Sequence, residues 1–177
     1  MSVKDRALYE AAKDGDLGSI AGMLDMGANV NVAIDGDGSP LIAAARAGQM
    51  AAVNLLLDRG ADVNMVVPGD GSPLIMAAAA GEIAVVELLL DRGAAIDQVA
   101  PGDENALITA SGAGILNVVE LLVARGADVN ARVWAETLSF GGGTVRTGGE
   151  WRTPLGMARR GGHRNVISFL ESAGARE

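Results

Sequence analysis

Two strings in the chain place oxygen-bearing side chains at alternate positions. They are Asp35-Gly36-Asp37-Gly38-Ser39 and Pro68-Gly69-Asp70-Gly71-Ser72. Alternating acids and hydroxyls are the start of a calcium loop, which then needs further acidic ligands and a Glu at its twelfth position. Counting from Asp35, the twelfth residue is Arg46, and no third acid follows Asp37. Both strings therefore read as glycine-permitted turns ahead of capped helices. Gly141-Gly142-Gly143 is not followed by Lys-Ser or Lys-Thr, and the only lysines are Lys4 and Lys13. It is not a phosphate-binding loop. The chain has no Cys and one His, His163. Thiolate zinc sites, cysteine nucleophiles and disulfides are thereby excluded. His163 follows Gly162 and reads as a structural residue at a helix start. No Ser/His/Asp set, paired-carboxylate pocket or dinucleotide fingerprint emerges. No residue is expected to be catalytic, no metal site and no cofactor are expected, and the chain is not expected to be an enzyme.

The remaining chemistry is that of contact. Of the five aromatic residues, Trp134, Phe140 and Trp151 lie within 18 positions of one another. Val133 to Phe140 alternates as a strand does, with Trp134, Leu138 and Phe140 on one side. Gly141 to Gly143 can turn the chain, and Thr144 to Thr147 can return it. Two roles fit such a hairpin. It is an interface anchor, as exposed Trp often is, or its aromatics fold back and cover the neighbouring structure.

Charge is segregated along the chain. The net charge is −8, with 22 acids and 14 bases. Residues 1–130 carry 18 acids against 7 bases, and residues 131–177 carry 4 against 7. Asp35, Asp37, Asp70, Asp103 and Glu104 are expected to form an acidic ridge. Arg146, Arg152, Arg159, Arg160 and Arg164 are expected to form a basic end. An acidic ridge steers a basic partner and acts on association rate more than on affinity. Nucleic acid is a poor partner for this balance. No run of 18 apolar residues and no leader pattern occurs, so neither membrane insertion nor secretion is expected and the location is expected to be cytoplasmic.

The elements that position these residues repeat. Gly-Ala pentads begin at Gly27, Gly60, Gly93 and Gly126, each 33 residues after the last. Pro40-Leu41-Ile42, Pro73-Leu74-Ile75 and Ala106-Leu107-Ile108 keep the same step. The next markers, Pro154-Leu155 and Gly174-Ala175, come after 48, which puts fifteen extra residues between Gly126 and Pro154. Each copy reads as two helices. Ser39-Pro40 and Ser72-Pro73 start the first. A glycine (Gly15, Gly48, Gly81, Gly114, Gly162) ends it. A second helix, clearest from Glu82 to Arg92, ends at the next Gly-Ala pair. One such pair cannot bury its apolar face alone, whereas stacked alanine-rich neighbours can.

The period, the Pro-Leu-x-x-Ala-Ala track at Pro40–Ala45 and Pro73–Ala78, and Gly-Ala-Asp-Val-Asn at Gly60 and Gly126 resemble the ankyrin-repeat family. The usual Thr-Pro-Leu-His departs here to Ser at 39 and 72, and to Ile42, Ile75, Ile108 and Gly156 in place of His, so Ile packing would replace that histidine's hydrogen bonds. The fold class so implied is all-α, an ankyrin-repeat solenoid of five helix-turn-helix units with one extended β-hairpin insertion between the fourth and fifth repeats. The single domain 1–177 divides into an N-terminal capping repeat 1–34, internal repeats 35–67, 68–100 and 101–132, the hairpin 133–150, and a C-terminal capping repeat 151–177. Ser2-x-x-Asp5 reads as a capping box. The resemblance implies a concave face formed by the fingers and first helices. There Ala79, Ala80 and Ala113 make a smooth wall with Arg46 as an exception, suited to an extended peptide or a helix. It further implies a non-catalytic protein-binding module, expected to be a monomer, with a protein partner of basic or peptide-like character. Two other functions remain open. One is a regulatory array of a larger bacterial signalling or peptidase system, from a loose similarity of the Pro68 and Glu150 strings to arrays on antirepressor-type metallopeptidases. The other is an anion- or ligand-binding protein using the C-terminal arginines.

Overall fold

Five side chains that can accept a hydrogen bond stand at intervals along the chain, and a helix begins one residue behind each. In the computed structural model the described residues are 2–100, 104–141 and 144–176, with only the backbone described for 136–141 and 144–148. The first helices of the five copies are α1 (Val3–Asp14), α3 (Pro40–Arg46), α5 (Pro73–Ala80), α7 (Ala106–Ala113) and α9 (Pro154–Gly161). Ser39 Oγ accepts the Ile42 N–H at 3.2 Å and Ser72 Oγ the Ile75 N–H at 3.3 Å. Asn105 Oδ1 and Thr153 Oγ1 take the same role for α7 and α9. Ser2 and Asp5 close the reciprocal capping box of α1. Each cap satisfies a backbone donor that the helix itself leaves open. Gly15, Gly48, Gly81, Gly114 and Gly162 follow with φ between 70° and 78°, a conformation that favours glycine.

The chain then turns into the second helices: α2 (Leu17–Asp25), α4 (Met50–Asp58), α6 (Ile83–Asp91), α8 (Leu116–Ala124) and α10 (Arg164–Ser172). First helices pack against first helices in sequence order, and second helices do the same. The core runs along the stack as columns one repeat apart. Leu8, Leu41, Leu74, Leu107 and Leu155 form one column and Leu56, Leu89, Leu122 and Leu170 another, all buried. Ala11, Ala44, Ala77, Ala110 and Ala158, also buried, form a third. The absence of bulk in this last column lets successive helices approach closely, so burial is reached with few aromatics. Ile42, Ile75 and Ile108 are buried as well, so apolar packing stands where the family pattern has His.

Between copies the chain projects as fingers. Ile34 and Gly38 exchange backbone hydrogen bonds, and Val67 bridges to Gly71, its N–H donating to the Gly71 carbonyl. Gly36, Gly38, Gly69 and Gly71 all have positive φ, so the Asp-Gly strings are turn geometry. The fifteen extra residues lie in a hairpin of β1 (Val133–Gly141) and β2 (Thr144–Arg152), nine residues each, antiparallel from Val133 opposite Arg152 to Gly141 opposite Thr144. The returning strand is longer than the expected Thr144 to Thr147. It runs to Arg152 and delivers the chain directly to Thr153, the cap of α9. Among the described residues, no helix is long and apolar enough to cross a membrane.

Candidate protein-binding surface

The hairpin has two unlike faces, because side chains on a strand alternate. Val133 and Ala135 are buried. Opposite them in register stand Arg152 and Glu150. Arg152 hydrogen-bonds Glu104, 48 positions earlier, and also Glu150, while Arg160 of α9 grips both oxygens of Glu150. The chain of charges Arg160–Glu150–Arg152–Glu104 fastens the hairpin base to the fourth and fifth copies. These arginines, Arg160 foremost, hold the Glu150 carboxyl down to about 2. Pairing raises Arg152 in turn, through Glu104 first.

The other face is open. Trp134 and Trp151 pair across the strands, edge to face, with ring centroids 5.4 Å apart. They remain 49% and 57% exposed. The Arg132 guanidinium lies 5.2 Å from the Trp151 ring. Trp134 also lies over Gly149, where an added Cβ would strike its indole. Bare glycine is what lets the ring lie flat on the sheet.

Leu138 and Phe140 belong to β1, opposite Thr147 and Val145, and their side chains lie outside the described residues. Asp103 also lies outside them. On the concave side, Arg46, Ala80 and Ala113 are exposed and Ala79 is half-exposed, so the wall of small residues is open to contact.

The acidic ridge is not what composition suggested. Asp35 is exposed, but Asp37 is half-buried and bonded to Arg6. Arg6 also stacks over Tyr9 and pairs with Glu10. Asp70 is half-buried. Glu104 is corrected most: it is 9% exposed beneath Arg152, a buried structural partner and not a fingertip charge. The basic end is corrected with it. Arg152, Arg159 and Arg160 are each paired with a carboxylate, Arg164 is exposed, and the Arg146 side chain lies outside the described residues. A buried charge must find a partner: Glu104 of the acidic half finds it in Arg152 of the basic half, while Arg159 and Arg160 pair with Glu171 and Glu150 of their own half.

His163 stands at the position before α10 without capping it by its side chain, and its Nε2 lies 2.9 Å from the Gly112 carbonyl. Nε2 therefore carries the proton, donating from the fifth copy to the fourth. Among the described residues, no group of three or more His, Asp or Glu is gathered as a metal site.

Two ladders along the stack escaped the sequence reading. Asn31 Oδ1 accepts the Asp62 N–H, and its amide donates to the Gly60 carbonyl. Asn64 does the same to Ala95 and Gly93, and Asn130 to Arg176 and Gly174. Asp97 accepts the Asp128 N–H at the equivalent rung. At the first copy, Asp5 accepts the Asn29 N–H and Lys4 donates to the Met26 carbonyl, so α1 supplies this rung itself. Hydrogen bonding from Ser2 and Asn29 lowers the Asp5 carboxyl to about 2. On the second helices, Arg59, Arg92 and Arg125 reach back to Asp25, Asp58 and Asp91. The signal was present: Asp-Arg-Gly recurs at Asp58 and Asp91 at the repeat step.

Comparison with known proteins agrees with this geometry. Residues 66–133 match a family model described as ankyrin repeats in three copies, and residues 41–90 match one described as ankyrin repeats in many copies. The two matches together span more than half of the chain. No curated protein matches it. Ankyrin repeats are in general protein-protein interaction modules, and by period, helix pairing, finger turns and family match this chain belongs to the ankyrin-repeat family.

Proposed function

We propose that the chain is a non-catalytic module that holds a protein partner against its finger row and small-residue concave wall and anchors it on the Trp134–Trp151 ledge. The observation that carries this reading is the ledge itself. Two indoles, each about half open to water, stand on a hairpin whose opposite face is already fastened by buried alanine, valine and a chain of ion pairs. The tryptophans are not needed to attach the hairpin, and a large aromatic group left open is the usual anchor of an interface. The concave wall, smooth at Ala79, Ala80 and Ala113 and bordered by Arg46, favours an extended segment or a helix over a small molecule. Asp35 remains on the exposed part of that row, and the partner is expected to bring cationic side chains to it.

The test is a Trp134→Ala/Trp151→Ala double variant of the whole chain, used beside the wild type to capture partners from an extract of its host. The expected result is loss of the specifically captured protein, with a melting temperature that falls by only a few degrees. Capture that survives both substitutions would remove the ledge from the interface. A variant that no longer melts cooperatively would make the ledge a structural cover.

A further inference from the structure

The finger carboxylates differ in one respect that matters for binding. Asp37, on the first finger, receives the Arg6 guanidinium. Glu104, buried one position past the next repeat step, receives Arg152. Asp70 stands one repeat after Asp37, at the same place on the second finger, and its Oδ2 is sealed from water without a hydrogen-bond partner. The reason lies in the repeat. One step on from Arg6 is Ser39, whose hydroxyl is engaged in capping α3. The second finger thus has the acid but not the arginine. A carboxylate oxygen shut off from water with no donor is a standing cost, which a cation removes once the Asp70 side chain turns that oxygen toward it.

Asp70 also lines a concave cavity of about 220 Å³, together with Ile75, Met76, Ala79 and Thr109 and with the Arg152–Glu104 ion pair. That is below the roughly 300–1,000 Å³ typical of small-molecule sites, and it has the scale of one long side chain. Its walls join apolar surface for a methylene stem to a carboxylate for a charged head. Arginine fits this better than lysine. Its guanidinium is more weakly hydrated and presents a planar fork to a carboxylate, while its stem packs on apolar surface.

We propose that this cavity seats an arginine side chain of the protein partner, with the guanidinium on Asp70 and the stem along Ile75, Met76 and Ala79. The seat rests on the reading of the chain as a partner-binding module, and it specifies the chemistry that the partner must present. Within the molecule, Arg6 on Asp37 and Arg152 on Glu104 already make the same kind of contact on either side of it.

A random-peptide display library panned on the whole chain tests this without a known partner. The enriched peptides should share an arginine. Its replacement by citrulline should weaken binding at least tenfold, and Asp70→Asn should do the same to the arginine peptide. The Asn variant should then cost the citrulline peptide little more, since both changes remove one contact. A thermal melt checks that Asp70→Asn still folds; if it does not, the citrulline peptide on the wild-type chain decides. Enriched peptides without arginine, or binding unchanged by citrulline or by a folded Asp70→Asn, overturn the seat while leaving the module standing. A library that yields no binder overturns the module reading and the seat with it.

Discussion

The two faces of the hairpin are made of the same two strands and have opposite fates. One face places Val133, Ala135, Glu150 and Arg152 against the repeats, with Glu150 and Arg152 both paired. The other carries Trp134, Gly149 and Trp151, with the largest apolar groups of the segment half in water. Bulk does not decide which face turns inward. The stack leaves room for small residues beside the fourth and fifth copies, and a buried carboxylate at Glu104 demands a cation. Alanine satisfies the first condition and Arg152 the second. The indoles are left outside, where they shield each other and the glycine beneath.

The contrast is broken most sharply at Arg152. Arg152→Ala leaves Glu104 buried without its partner and should cost about 2–3 kcal/mol, the lower side of what breaking a buried pair costs because Arg152 is partly open to solvent. Urea unfolding reads this directly, and removing the stranded charge with Glu104→Gln in the same chain should return part of the loss. On the opposite face, Trp151→Ala removes an edge-to-face contact and the Arg132 stack, and should cost only about 1 kcal/mol. If Trp151→Ala proves as damaging as Arg152→Ala, the open face is structural and the contrast fails. The smallest effect at neutral pH belongs to Glu150. Its carboxyl titrates near 2 in the folded chain against an ordinary 4.5, so it adds stability that is complete above about 4.5 and disappears as pH falls from there toward 2. Glu150→Gln should flatten part of the fall in melting temperature between pH 5 and 2.5. The part due to Asp5, which is lowered in the same way, should stay. High salt should reduce the Glu150 contribution, because the carboxylate is partly exposed.

Much of this architecture is legible in a line of text, because the signals are local and recur. Ser39 and Ser72 cap the helices that they precede, and the glycine after each first helix adopts the left-handed turn that it was placed to adopt. The asparagine rungs and the Asp-Arg ladder were also within reach of the period, since their partners lie one repeat apart. They escaped because a residue at the end of a pentad reads as turn chemistry until its neighbour in the next copy is in view. The charge count was legible and its meaning was not. Arg152 and Glu104 are 48 positions apart, on either side of an insertion that breaks the period, and nothing local marks them as a pair.

What the order of amino acids determined alone is the unit: two short helices, their caps, a glycine turn and a finger, repeated until the apolar faces cover one another. Those choices cost or gain energy within a few residues along the chain, so a local reading recovers them. Which acids face water, which arginines are already taken, which side of the hairpin is bare and where one carboxylate is left without a cation were decided only when the copies stacked. Burial and charge pairing depend on distance in space, and the stack alone sets those distances.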